Sequence, residues 1–275
     1  MVDQGRSDRV LPVTRVLAVV IVPFLLLAFA VLVPSPTHTR TLFAWEIKPT
    51  ISPMVLGSVY LGGAYFFVRV AFAREWHAVA GGFVPVGTFA TLMGITTVLH
   101  WSRFIHENVA FWLWIGLYFS TPMLVFAVFF RNQREYSRAG GEDVRLGAIA
   151  AGGLVVVGVA AAASAAFLYL FPAQAVRAWP WHLTPLTARM LGAIFALGIA
   201  AIGAAWERRW SAARIPVQVA GIMLVLLLIA GARAHDEFDS GNALTWLLLV
   251  GFGASTLALA ALYVRMEARA TAQRS

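Results

Sequence analysis

The chain has no cysteine, one lysine and few charges. Without thiolates there is no structural disulfide, thiolate zinc site, iron–sulfur cluster or thiol redox chemistry. The one lysine, Lys48, stands in a loop beside Pro49, so a retinal-type Schiff base within a bilayer is excluded. Only 12% of residues are charged, about half the share in an ordinary soluble domain. What fills the 275 residues is apolar: 60% are hydrophobic and the mean hydropathy is +0.77. A soluble globule of this composition would lack the polar surface to face water. The chain reads as an all-α polytopic membrane protein, not as a soluble enzyme or a disordered or collagen-like chain.

A membrane-spanning helix needs ~20 predominantly apolar residues. Eight stretches qualify, near 14–33, 52–73, 82–100, 109–130, 146–171, 187–205, 215–232 and 243–264. The fifth, nearly all Ala, Gly and Val from Ala148 to Phe167, is expected to be a buried, closely packed helix. Thr121-Pro122 is expected to kink the fourth, because proline removes a backbone donor. The first span imitates a signal peptide, with Arg6, Arg9 and Arg15 ahead of it and Ala28-Phe29-Ala30 inside. It is expected to be retained, since the second half of the chain supplies a counterpart.

The net charge of +8 is carried by arginines between the spans, so topology explains them better than nucleic acid does. Placing both termini in the cytoplasm puts fifteen Lys and Arg residues inside and six outside, the latter being Arg40, Lys48, Arg103, Arg177, Arg189 and Arg233. That is the positive-inside pattern of a bacterial cytoplasmic membrane protein.

The two halves of the chain echo one another. Trp45-Glu46-Ile47-Lys48-Pro49 recurs as Trp181-His182-Leu183-Thr184-Pro185 at an offset of 136, which Met54 and Met190 share. An offset of 134 then pairs Trp76 with Trp210, Phe104 with Phe238, Asn108 with Asn242, Trp112 with Trp246 and Arg131 with Arg265. Residues as rare as Trp seldom coincide so often at one spacing. The expectation is two four-helix repeats, 1–138 and 139–275, fused into one bundle. Four spans is an even number, so the repeats are parallel and related by an axis along the membrane normal.

The deep parts of the spans hold no Asp, Glu, Lys, Arg or His. Ionisable groups within a membrane are costly and usually functional. Their absence counts against a proton pump, a voltage sensor, a carrier with midplane carboxylates and a mid-bilayer bis-histidine haem. The polar residues at depth, such as Ser58, Tyr60, Thr97, Thr121 and Gln218, are expected chiefly to bond to neighbouring helices or to their own backbone.

Chemistry gathers at the extracytoplasmic end, where five of the six histidines fall. Trp45, Glu46, Trp181, His182 and Arg189 are the candidate ligand-binding residues, forming an aromatic vestibule for an amphipathic molecule. Interfacial anchoring by Trp and a helix-opening Pro is the plainer account of the same motif. His100, His235, Asp236 and Asp239 are the candidate ligands for a metal or haem on that side. No His-Glu-x-x-His, nucleophile elbow, phosphate loop or dinucleotide fingerprint is present.

Phe43-Ala44-Trp45-Glu46-Ile47-Lys48-Pro49 and Leu99-His100-Trp101-Ser102-Arg103-Phe104 resemble elements of a loose group of uncharacterised multi-span bacterial membrane proteins. The resemblance implies the fold and no activity. Ser102 stands where that group is expected to carry an acid.

These features lead to a non-enzymatic membrane protein that binds or transports a small lipophilic or amphipathic molecule through an outward-facing site. The alternatives are a metal- or haem-dependent membrane redox protein using His100 and His235, and a structural subunit with a protein partner or a second copy.

Overall fold

A computed structural model describes residues 7–137 and 143–273. Arg6, Arg138, Gly140, Gly141, Arg274 and the expected boundary between residues 138 and 139 lie outside them. Among the described residues the fold is helical without strands, apart from one isolated bridge between Arg145 and Arg209. Eight helices are long and apolar enough to cross a membrane. They are α1 Pro12–Leu32, α2 Ile51–Phe72, α3 His77–Leu99, α4 Val109–Glu135, α5 Ala148–Leu170, α6 Pro185–Glu207, α7 Trp210–Arg233 and α8 Ala243–Ala272. The chain is a multi-pass membrane protein.

Helix ends follow local chemistry. Asn108 and Asn242 cap α4 and α8 by accepting from the amides of Ala110 and Leu244. Thr184 caps α6 and Pro185 opens it. Pro49 does not play the matching part: it follows a cis peptide from Lys48, and α2 starts at Ile51. Two spans are broken. α3 consists of His77–Ala80 and Phe83–Leu99 on either side of Gly81-Gly82, and α6 of Pro185–Ala196 and Ile199–Glu207 around Leu197-Gly198. α4 continues through Pro122 as one element.

Four inner helices hold the molecule together. α2 packs on α7, and α3 packs on α6. Each outer helix leans mainly on one inner helix: α1 on α2, α4 on α3, α5 on α6 and α8 on α7. Lipid tails are as apolar as leucine, so close backbone approach must replace the hydrophobic drive. Gly192 and Gly198 provide it, since a Cβ there would meet the Ala165 carbonyl oxygen at 3.0 Å and the Ala161 Cβ at 2.4 Å.

The fifth span is not the buried helix its composition suggested. Only 22% of its most apolar window is buried, against 61% for α2. Gly158, Ala161 and Ala165 serve the face that meets α6, whereas Gly152, Ala160, Val156 and Val159 are exposed.

Candidate functional site

The inner helices do not close on one another completely. A crevice of about 1070 Å³ runs between them, with walls from both halves of the chain. Its lining is apolar and includes the aromatic rings of Phe66, Phe67, Phe89 and Phe195. Toward α5, α6 and α8 it is walled by small residues such as Gly153, Ala201 and Ala258. Val157, mid-span on α5, lines it and is also half exposed on the flank of the molecule.

Polar groups bind the two halves at both rims. At the rim carrying the 100–108 and 234–242 turns, Glu237 accepts from the Thr50 and Ile51 amides, each at 2.8 Å, and so caps α2 from the other half. Trp181 donates its indole N–H to Ser52 Oγ at 3.0 Å. Arg189 donates to His100 Nε2 at 2.7 Å. At the opposite rim, His77 Nδ1 is held by Asp8, and its Nε2 lies 2.9 Å from Ser211 Oγ. Ser211 is itself held by Asp143, which also accepts from Arg209 Nε at 3.0 Å. The chain Asp8–His77–Ser211–Asp143 therefore crosses between the halves. A further network joins α2, α7 and α8 near that rim, where Arg69 donates to Tyr65 and Gln218, and Gln218 donates to Tyr263.

Between the rims, polar groups on the crevice wall are few. Tyr60 on α2 and Tyr118 on α4 are 2% and 4% exposed, and their hydroxyls share a hydrogen bond of 2.8 Å. Trp179 lines the crevice near Trp181, and its indole N–H is buried without a partner among the described residues. Arg265 and Arg269, one turn apart on α8, line the end nearest the His77 rim.

The sequence-predicted residues are not gathered in one place. Trp181 lines the crevice and Arg189 engages His100. Trp45 is 2% exposed within an aromatic cluster, its ring 4.8 Å from Trp114 and about 5 Å from Phe43 and Phe104. Glu46 pairs with Lys48 at 2.7 Å, and that hydrogen bond holds its carboxyl below the usual range. His182 belongs to a separate surface pocket of about 410 Å³, shared with Lys48 and Glu237. Of the candidate metal ligands, His100 has its Nε2 taken by Arg189, while His235, Asp236 and Asp239 are exposed. Among the described residues, no three His, Asp or Glu side chains are placed to hold a metal ion together.

Tyr118 and the Asp8–His77–Ser211–Asp143 chain were missed in the sequence. Tyr118 hides in a run of aromatics, where one hydroxyl does not stand out. His77 and Ser211 stand 134 residues apart, at the repeat offset, but differ in residue type. No family model, no curated protein and no solved structure matches the chain.

Proposed function

We propose that this membrane protein holds or passes a small lipophilic or amphipathic molecule, and that the crevice is where it does so. The observation that carries this reading is a large apolar space bounded at both rims by polar links between the halves. Val157 supports entry from the bilayer side, because it lines the crevice and is exposed on the flank. Trp181 and the orphaned indole of Trp179 then mark the outward end of the site. Crevices of this size suit ligands that need burial and a few convergent polar contacts.

The same reading takes the halves as parallel repeats in a bacterial cytoplasmic membrane, with both termini inside. Paired hydrogen bonds support the repeats. Asn108 Nδ2 donates to the Thr41 and Phe43 carbonyls, as Asn242 Nδ2 does to Ala178. Trp112 donates to the His106 carbonyl and Trp246 to that of Ser240. Trp76 donates to Gln133 and Trp210 to Glu267. Under this reading His77 and Ser211 are equivalent positions, and a position that touches its own equivalent lies on the two-fold axis.

The test is native mass spectrometry of gently extracted protein beside its Ala220→Trp variant, which places an indole in the crevice. A reproducible extra mass on the wild type, lost in the variant, is the expected result. Equal extra mass on both proteins, or none on either after lipid extracts are added back, would overturn the reading.

A further inference from the structure

Resting on the crevice as the binding site, we propose that its ligand carries a carbonyl oxygen on an otherwise apolar skeleton and, at mid-membrane depth, accepts a hydrogen bond from the Tyr60–Tyr118 pair. The argument begins with proton arithmetic. A phenol has one O–H to donate. When two phenols bond to each other, one donates and the other accepts, so the acceptor's own O–H is left over. Neither hydroxyl makes another hydrogen bond among the described residues. Both side chains are more than nine-tenths buried, and both line the crevice. A buried donor without an acceptor is costly, and the site is the place where an acceptor can arrive.

Depth narrows the class of ligand. Tyr60 lies nine residues past the start of α2, and Tyr118 nine residues past the start of α4. At 1.5 Å per residue this is about 14 Å from the helix ends, close to half of a ~30 Å hydrocarbon core. The ester carbonyls of an ordinary glycerolipid stay at the headgroup boundary and do not reach this level. The acceptor must belong to a molecule that sits wholly within the membrane, such as a quinone ring on an apolar tail or a neutral fatty-acyl ester. Its surroundings fit a flat or chain-like partner: Phe66, Phe67 and Phe89 share the wall. Phe252, 134 residues after Tyr118, lines the same crevice without a hydroxyl, so the donor comes from one half only.

The experiment compares three probes added to the detergent-solubilised full chain: decyl-benzoquinone, methyl palmitate and decylbenzene, which lacks any acceptor. The fraction of protein carrying each probe is read by native mass spectrometry. At least one carbonyl probe should bind the wild type about tenfold more tightly than decylbenzene does. The one that does so identifies the quinone or the acyl source. Tyr60→Phe and Tyr118→Phe each leave one free O–H and should retain binding, whereas the double variant should lose the tenfold advantage. Thermal midpoints of the variants verify that they remain folded. Equal binding of all three probes to the wild type, or an undiminished advantage in the double variant, would overturn the carbonyl assignment and leave the crevice reading intact. Failure of all three to bind the wild type would remove both.

Discussion

At Arg189 a guanidinium is paired with an imidazole where a carboxylate would be usual. Arginine only donates, so His100 Nε2 must be bare and the ring neutral. Partial burial, then the charges of Arg189 and Arg103, hold His100 below its ordinary value of 6.5. The folded state therefore takes up this proton later than the unfolded chain does as pH falls. Stability from the contact is complete above pH 6.5 and is lost on acidification toward the lower folded value. Thermal unfolding across that window should show a falling midpoint for the wild type. His100→Gln keeps a neutral acceptor without the titration and should show a shallower slope, and an unchanged slope would refute this assignment.

Among the helices, contact between small residues decides what can be altered. Gly198 interrupts α6 against α5, and an added Cβ would fall 2.4 Å from the Ala161 Cβ. Carbon atoms in contact prefer ~3.5–4.0 Å, and an alanine methyl has no rotamer by which to yield. Gly198→Ala should cost about 1–3 kcal/mol in reversible detergent unfolding. Gly203→Ala, with nothing within 4 Å, should be neutral or slightly stabilising on the same helix. The rim chain is a second test at this scale. The Asp8 and His77 side chains are 7% and 9% exposed, so His77→Ala leaves a buried carboxylate with only the residue-77 amide as donor among the described residues and should cost about 2–3 kcal/mol. Ser211→Ala removes the link to His77 and the donation to the Asp143 carboxylate, and should cost about 1–3 kcal/mol.

For the molecule as a whole, the absence of cysteine becomes an instrument. Single replacements at exposed Ser7, Thr37, Ser240 and Gln273 each create a unique thiol. A membrane-impermeant maleimide should label Thr37→Cys and Ser240→Cys in intact cells stripped of outer layers. Ser7→Cys and Gln273→Cys should react only after permeabilisation, and the reverse pattern would invert the topology. The spans were legible in the sequence because bilayer thickness imposes a length that hydropathy reports directly. The arrangement of helices was not. α5 and α2 are both apolar, yet one is a flank and the other the centre, and only packing partners distinguish them. For the same reason Trp45 and Trp181 share a motif but not a setting: one closes an aromatic cluster and the other borders the crevice. The Tyr60–Tyr118 pair depends on contact between residues 58 positions apart, which no local pattern records.

The two halves are joined by polar bonds at their rims and leave a crevice at the waist, which is where the molecule should resist compression least. Pressure favours states that reduce poorly filled space, so hydrostatic compression should act first at the crevice. A resident molecule that fills the waist would stiffen it. Under the proposed function, occupancy of the crevice is also a matter of compressibility, and a bound molecule should raise the pressure at which the halves collapse together or part.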